Sequence, residues 1–311
     1  MTLPAYFDPK NTFNLLGLSN KFSFLKNLYL KKKLPKVLMF SGKKGSGKST
    51  LVNHLMFFIF DKRNYNDSTN TYIADSFFYG QFKNNLFPNI IFLSGSDFKN
   101  IKIDDIRNLK TKIFQTSISD NHRFIILDDV ELFNNNSLNA LLKIIEEPSV
   151  NNYFILINNK SKPLLETIKS RCLDIKIILN EIKREKIIET MIKKYKIETL
   201  IDYKSIKLTP GKFITFNYIL REKKILMNDD FLKNLGILLN TYKKDKNIMF
   251  IDLILFLVDS YFINLKNKNI LNNEKIFEYK RFILENINKF FLYNLNQNAL
   301  LNNINNKINN G

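Results

Sequence analysis

The chain has 311 residues, enough for about two or three domains, and 45% of them are hydrophobic, which permits a sizeable core. No stretch reaches the uninterrupted apolar length of a membrane span, and the N-terminal residues do not resemble a signal peptide. A cytoplasmic protein with no membrane partner is therefore expected. The one cysteine, Cys172, excludes an internal disulfide and a zinc site built from several cysteines. The formal charge of +19 fits a nucleic-acid partner and a lysine-rich composition spread over the whole chain equally well, so charge alone does not decide between them.

The first predicted elements are a helix and a buried strand. Apolar residues recur at helical spacing between Phe13 and Leu30, with a break expected at Gly17. The short apolar run 37–40 then predicts a strand inside a sheet. A second helix is predicted from the apolar residues between positions 51 and 59, so strand, loop and helix follow one another here.

The loop between this strand and helix carries a phosphate-binding motif. Residues 42–49 read Gly-Lys-Lys-Gly-Ser-Gly-Lys-Ser, a full match to G-x-x-x-x-G-K-[ST]. Its glycines allow tight turns that point backbone N–H groups at phosphate oxygens, and the helix adds the positive end of its dipole. Lys48 is expected to reach the β- and γ-phosphates of ATP, and the Ser49 hydroxyl to bind Mg²⁺. The candidate nucleotide contacts are Gly42, Lys43, Lys44, Gly45, Ser46, Gly47, Lys48, Ser49 and Thr50.

A polar, asparagine-rich stretch separates this motif from the rest of the predicted sheet. Residues 61–89 are expected to form an insertion or long connection with at most a short helix. Residues 89–93 predict a second strand, and residues 103–113 space their apolar side chains as an amphipathic helix does.

A pair of carboxylates ends the next predicted strand, residues 123–127. Asp128 and Asp129 follow this apolar run as in a Walker B motif, and ligands of open α/β sheets gather at the carboxyl ends of the strands. Asp128 is therefore expected to hold Mg²⁺. Asp129 occupies the position of the residue that orients the attacking water, and it is one methylene shorter than glutamate.

The remaining elements complete the α/β unit and add a helical region. Residues 134–137 indicate a helix cap, and Pro148 is expected to stop the helix 138–147. Two more strands, 153–157 and 175–179, flank a short helix at 164–169. Beyond them Thr209, Pro210 and Gly211 are expected to interrupt a helical region, and the C-terminal tail 301–311 to fray. The further predicted helices are 180–195, 213–220, 230–242, 248–265 and 273–295.

These elements predict an α/β nucleotide-binding domain with a parallel sheet flanked by helices, followed by helices only. The expected domains are residues 1–179, a small helical lid at 180–220, and an all-helical region at 221–311.

The order of the motifs is similar to that of one family. After the two nucleotide motifs come Leu-Asn-Ala-Leu-Leu-Lys-x-x-Glu-Glu-Pro at 138–148 and Ser-Arg-Cys at 170–172. The combination resembles the clamp-loader branch of the AAA+ ATPases, and within it the delta-prime subunits of bacterial DNA polymerase III. The resemblance is good over residues 34–175. It implies an AAA+ domain, a lid, and a collar that holds subunits together.

The resemblance also implies roles for single residues. Asn159 falls at the sensor 1 position, which feels the γ-phosphate, and Lys212 falls in the sensor 2 segment of the lid. Arg171 resembles an arginine finger that acts in trans on ATP held by a neighbouring subunit.

Departures from the family pattern qualify the expected activity. The zinc-binding cysteines of many relatives are absent from residues 61–89, so no zinc is expected. Asp129 replaces the glutamate of the motor subunits, and Lys212 their usual arginine. The chain is therefore expected to bind ATP and Mg²⁺ but to hydrolyse ATP slowly, if at all.

The expected partners are motor and delta-like clamp-loader subunits in a hetero-pentamer, and through this complex the sliding clamp and primed DNA. Two alternatives remain open. The chain could be an active, gamma/tau-like ATPase motor of the same complex, or another AAA+ protein that acts on nucleic acid, such as a helicase loader.

Overall fold

The computed structural model describes residues 4–96, 106, 122–227, 229–268, 270 and 272–309. Within it the chain divides into two compact units. The larger unit comprises residues 2–195 and 203–214, and the smaller one residues 196–202 and 215–311. The domain boundaries expected at 179 and 220 stay predictions.

The larger unit is built on a parallel sheet. The strands of the described chain are β1 (Val37–Ser41), β2 (Tyr65–Asn66), β3 (Thr71–Tyr72), β4 (Ile90–Ser94), β5 (Arg123–Asp128), β6 (Asn152–Asn158) and β7 (Leu173–Lys176). Five of them form one sheet in the order β4-β5-β6-β1-β7, and each neighbouring pair is parallel. The carboxyl ends of all five strands therefore meet at one edge.

Helices cover both faces of this sheet. The helices of the described chain, counted over both units, are α1 (Ser19–Leu30), α2 (Lys48–Phe60), α3 (Phe77–Lys83), α4 (Asn135–Ile145), α5 (Glu166–Lys169), α6 (Glu181–Tyr195), α7 (Pro210–Glu222), α8 (Phe231–Asp245), α9 (Ile248–Asn267), α10 (Asn273–Tyr293) and α11 (Gln297–Asn309). Successive side chains of a strand point to opposite faces. Leu38 accordingly packs in one core with α1 and α2, and Met39 in another with α4 and α5. The predicted fold class, a parallel sheet flanked by helices with further helices after it, is confirmed.

The insertion at residues 61–89 contains more structure than the sequence indicated. Its short helix, α3, is confirmed, but it also holds an antiparallel hairpin in which Tyr65 pairs with Tyr72. Each strand of the hairpin has two residues, too few for an alternating pattern to be recognised. Packing against α2 stabilises it instead, because the Tyr72 ring stacks on Phe57 at 3.7 Å between centroids.

Three sequence expectations are wrong in detail. The last strand is Leu173–Lys176 rather than 175–179. Pro210 begins α7 instead of interrupting it, since the missing N–H of a proline costs nothing in the first turn of a helix. The tail is helical as far as Asn309, because Leu300 and Ile304, four residues apart, are buried within the smaller unit and this packing outweighs the poor helix propensity of its asparagines.

The helix predicted at 103–113 lies outside the described residues except for Ile106, which is helical and buried.

In the described part of the chain, α9 is long and apolar enough to cross a membrane by length and composition. Core helices of soluble proteins pass the same test, and Leu253, Ile254 and Val258 of α9 are buried.

Candidate nucleotide-binding site

The glycine-rich loop lies at the carboxyl edge of the sheet, directly after β1. The Gly42 N–H donates to the Asn158 carbonyl at 3.1 Å, which ties the loop to the neighbouring strand β6. Gly45 and Gly47 have φ angles of +80° and +90°, a region that side chains disfavour. Gly47 is followed at once by α2, so the loop ends at the N-terminus of a helix. The strand, loop and helix predicted around the motif are therefore all present.

Lys48, the first residue of α2, is almost fully buried under the loop. Its Nζ donates to the carbonyl oxygens of Gly42 at 2.8 Å and Lys43 at 2.9 Å. Burial lowers the pKa of Lys48 to about 8, and the nearby Asp128 carboxylate is the largest influence against this shift. The lysine is thus held at the inner side of the loop, where an incoming phosphate would replace the carbonyl oxygens as its partner.

Ser49 and Asp128 bring two oxygen ligands together. The Ser49 hydroxyl donates to Asp128 Oδ2 at 3.1 Å, although the residues are 79 positions apart in sequence. The surrounding protein desolvates the Asp128 carboxylate and, together with the charge of Asp129, raises its pKa to about 6. A cation would relieve this cost, and hard oxygen ligands suit Mg²⁺.

Ser49 and Asp128 would supply two of the ligands of a magnesium ion. Among the described residues, no group of three or more His, Cys, Asp or Glu side chains could hold a metal ion. Mg²⁺ commonly binds one or two protein ligands and completes its shell with waters and substrate phosphates. The Ser49–Asp128 pair fits that arrangement.

Asp129 is held by the protein on both carboxylate oxygens. Its backbone is left-handed, with φ at +49°, and the residue is 4% exposed. Oδ1 accepts from Asn159 Nδ2 at 2.6 Å, and Oδ2 lies 3.4 Å from Lys44 Nζ. The carboxylate predicted to orient water is therefore already bound by an amide and a cation.

Glu131, a buried carboxylate beside this group, was not among the predicted site residues. Glu131 is 4% exposed and accepts hydrogen bonds from the Asn159 N–H at 3.1 Å and from Ser161. The available signal was a charged residue between Val130 and Leu132, both of them apolar, because a glutamate is almost never buried without partners.

The start of α7 is fastened to the glycine-rich loop. The Thr209 hydroxyl donates to the Lys44 carbonyl at 2.7 Å, and the Gly211 N–H donates to the Gly45 carbonyl at 2.9 Å. A Cβ atom at Gly45 would lie 2.8 Å from the Lys212 nitrogen. Lys212, the predicted sensor 2 residue, therefore begins next to the loop.

Arg171 lies elsewhere in the same unit. It precedes β7, so it is at the amino edge of the parallel sheet, opposite the loop. Its Nε and Nη2 donate to Glu146 Oε1 at 3.0 and 2.5 Å, and Nη1 donates to the Thr167 carbonyl. The adjacent Cys172 thiol donates to Ile168 O, and burial raises its pKa to about 12, as expected of a packing residue.

The fold thus gathers the loop 42–50, Asp128, Asp129, Asn159 and the start of α7 at one edge, and leaves Arg171 at the other. The functional roles of these residues stay predictions.

Comparison with known proteins identifies a family. The sequence model of the family described as DNA polymerase III, delta subunit, matches residues 17–181. The delta-prime subunit of DNA polymerase III from Pseudomonas aeruginosa is 40% identical over 74 residues, 24% of this chain and 23% of that protein. The delta-prime subunit from Buchnera aphidicola subsp. Acyrthosiphon pisum is 30% identical over 201 residues, 59% of this chain and 61% of that protein. The resemblance to delta-prime subunits is confirmed.

These similarities have limits. The matched segments span less than two thirds of the length of the curated relatives named above. A DNA polymerase III gamma subunit-related protein from Thermotoga maritima aligns over 90% of this chain and 96% of its own, with 17% identity and a TM-score of 0.46. A structural likeness at that level adds no argument about function.

Proposed function

The chain belongs to the family described as DNA polymerase III, delta subunit, and from this premise we propose that it is a delta-prime-like subunit of the bacterial clamp loader. It helps to place the sliding clamp on primed DNA and does not synthesise DNA itself. The observation that carries the proposal is the family match over residues 17–181, because this segment contains both nucleotide motifs and the Ser-Arg-Cys tripeptide.

The chain binds Mg²⁺ and ATP in this proposal. Support comes from Lys48, which is positioned under the glycine-rich loop, and from the Ser49 hydroxyl 3.1 Å from Asp128. The N–H groups of the loop and the N-terminus of α2 would bind the phosphates. Residues 61–89 contain no cysteine, so zinc has no part in the proposal.

Hydrolysis of this ATP is slow or absent. A carboxylate that orients water must be free to accept its hydrogen bond. Asp129 is short, and its two oxygens are already engaged by Asn159 and Lys44. The nucleotide therefore acts mainly as a structural ligand of this chain.

Arg171 supplies its guanidinium to ATP bound by a neighbouring subunit. It lies at the amino edge of the sheet, and a strand the length of β1 separates the two edges by roughly 16 Å. An arginine side chain cannot span that distance to the loop of its own chain. In trans, the positive guanidinium would neutralise negative charge on the phosphoryl group that is transferred from the neighbour's ATP.

The proposed partners are the motor and delta-like subunits of a hetero-pentamer in the cytoplasm, with the clamp and primed DNA engaged through the complex. Within it this chain is a rigid member, and its C-terminal helices form the collar that holds the ring.

One observation favours a second candidate, an active motor subunit. The glycine-rich loop is intact, and Ser49 and Asp128 lie together as magnesium ligands would. A motor would hydrolyse its own ATP at a rate comparable with that of the complex.

Clamp loading tests the proposal. The clamp loader would be reconstituted from the motor and delta-like subunits of the same organism, with and without this chain, and loading of labelled clamp onto primed circular DNA measured. We expect the chain to co-purify with these subunits and loading to require it. Unchanged loading without the chain, or its failure to join the complex, would contradict the proposal.

A further inference from the structure

Glu131 is a buried carboxylate that has no role in the nucleotide chemistry described so far. It lies in the single turn of 3-10 helix Val130–Leu132, immediately after Asp129. Burying a carboxylate costs free energy unless hydrogen bonds replace its water. Oε2 accepts from the Asn159 N–H at 3.1 Å, and Oε1 accepts from the Ser161 N–H at 3.2 Å and its hydroxyl at 2.8 Å. Both oxygens are therefore used.

These hydrogen bonds fix the turn that follows β6. The middle residue, Lys160, has a left-handed backbone with φ at +56°, and its N–H donates to Asn158 Oδ1 at 2.8 Å. Glu131 binds the main-chain N–H groups on both sides of Lys160. The single carboxylate thereby sets the path of the backbone from Asn159 to Ser161.

The same turn aims the Asn159 side chain at the two carboxylates of the nucleotide site. Asn159 Nδ2 donates to Asp129 Oδ1 at 2.6 Å and lies 3.5 Å from Asp128 Oδ1. A side-chain amide can hold such positions only if its backbone is fixed. Glu131 provides that restraint from a position 28 residues away in sequence.

We propose that Glu131 is a positioning residue that holds the Asn159 amide where it distinguishes ATP from ADP. The inference rests on the proposed function in one respect, since it takes Asn159 as the group that contacts the γ-phosphate. Glu131 acts through the backbone of Asn159 and contacts no nucleotide itself.

Glu131→Gln tests the proposal because an amide cannot accept all the hydrogen bonds that the Glu131 carboxylate accepts. A carboxylate accepts at both oxygens, whereas an amide accepts at one end and donates at the other. In the variant the amide NH₂ would face an N–H of either Asn159 or Ser161, so one buried donor loses its acceptor. Ser161→Ala removes only the hydroxyl bond and keeps both main-chain bonds. Glu147→Gln, at an exposed glutamate, neutralises a charge outside this network.

The experiment measures equilibrium binding of Mg·ATP and Mg·ADP to the full chain by calorimetry. Loss of a hydrogen bond to a charged group changes an equilibrium constant by about tenfold. In Glu131→Gln the ratio of ATP affinity to ADP affinity should therefore fall by about that factor. ADP affinity should stay within about twofold of wild type. Ser161→Ala should have a smaller effect, and Glu147→Gln none. Because the two residues act as a unit, the double variant Glu131→Gln/Asn159→Ala should lose no more preference than Asn159→Ala alone.

Amide hydrogen exchange gives a readout that needs no nucleotide. The Asn159 and Ser161 N–H groups should exchange faster in Glu131→Gln than in wild type and Glu147→Gln. Unchanged exchange, with ATP preference lost only in Asn159→Ala, would overturn the role of Glu131 and leave nucleotide binding intact. Equal losses of ATP and ADP affinity in Glu131→Gln would show a merely structural residue and also overturn it. A wild-type chain that binds no ATP would overturn both this inference and the proposed ATP site.

Discussion

Asp129 is the residue to which the proposed function assigns the slow hydrolysis of ATP. Its left-handed backbone is costly for a residue other than glycine, and such strain persists only where the surroundings enforce it. Here Asn159 and Lys44 hold the carboxylate. In the proposed function, these same contacts keep Asp129 from orienting a water molecule.

Lengthening this side chain should restore some activity. In Asp129→Glu the carboxylate extends one methylene further toward the nucleotide, so we expect single-turnover ATP hydrolysis by the isolated chain to rise about tenfold or more, within the range that general bases contribute. Quenched-flow measurement with radiolabelled ATP would detect this.

Asp129→Asn is the matched control. It removes the charge at constant size, and because Asp129 is not acting as an effective base, its rate should stay near that of wild type. A large loss in Asp129→Asn, or no gain in Asp129→Glu, would contradict this account.

The residues gathered at the candidate nucleotide site could be grouped from the sequence because a motif fixes their spacing. The contact between Ser49 and Asp128 follows from the parallel sheet, which brings the ends of distant strands together. The sequence signal at Glu131 did not reveal its partners, because these are main-chain N–H groups of a turn formed far along the chain. The pairing of Arg171 with Glu146 likewise depends on how α4 and α5 pack.

The start of α7 and the glycine-rich loop form one interlocked element. Gly45 and Gly211 approach so closely that a Cβ atom at either position would meet the backbone of the other segment. The hydrogen bond between the Gly211 N–H and the Gly45 carbonyl depends on this approach. The conformation of the loop is thus coupled to α7.

Gly211→Ala should break this interlock. Its Cβ would lie 2.8 Å from Gly45 Cα, a backbone atom that cannot move aside easily. We expect ATP affinity to fall and the free energy of unfolding to fall by about 1–3 kcal/mol, as for overpacking. Calorimetric binding and urea unfolding would measure the two effects.

Gly80→Ala provides the control. A Cβ at Gly80 meets nothing within 4 Å, and the residue lies within α3. Helix propensity then predicts unchanged binding and a gain of about 0.5–1 kcal/mol in stability. Gly211→Ala behaving like Gly80→Ala would rule out the interlock.

The hairpin β2–β3 should make stability depend on pH through His54. Its Nε2 lies 3.0 Å from the Thr12 carbonyl oxygen, so the neutral ring donates there and Nδ1 accepts from the Tyr65 hydroxyl at 3.0 Å. Burial lowers the pKa of His54 to about 4. Below pH 6.5 the unfolded state therefore binds more protons than the folded state, and stability falls as pH falls.

Between about pH 6.5 and 4, His54 should lower the free energy of unfolding by about 3 kcal/mol. Urea unfolding across this pH range would measure the loss. His54→Gln is the control, because in this variant only the other groups that titrate in the same range, such as carboxylates, change the stability. Parallel pH profiles of wild type and His54→Gln would contradict the assignment.

Elements were predictable where their pattern is long. Apolar runs located four of the five strands of the main sheet to within one residue at each end, and helical spacing located α8, α9 and α10 close to their observed bounds. The fifth strand, β7, begins two residues earlier and ends three residues earlier than predicted. Strands of two residues are too short to show alternating apolar and polar residues, so the hairpin β2–β3 was not predicted. The asparagine-rich helix α11 owes its stability to Leu300 and Ile304 rather than to local propensity.

At the scale of the molecule, the parallel sheet separates the residues of two proposed functions. Its carboxyl edge gathers the groups of the candidate nucleotide site, and its amino edge carries Arg171. A chain with this arrangement can hold its own ATP while its arginine serves the site of a neighbour. This division fits the proposed role of the chain as a rigid member of the complex.

The most direct test compares Arg171→Ala and Lys48→Ala in the reconstituted clamp loader, measured by its ATPase activity in the presence of primed DNA. We expect Arg171→Ala to remove much of the activity, Arg171→Lys to recover little because lysine lacks the planar fork, and Lys48→Ala to leave it near normal. The opposite pattern, with Lys48→Ala damaging and Arg171→Ala harmless, would contradict the account and identify the chain as a motor that hydrolyses its own ATP.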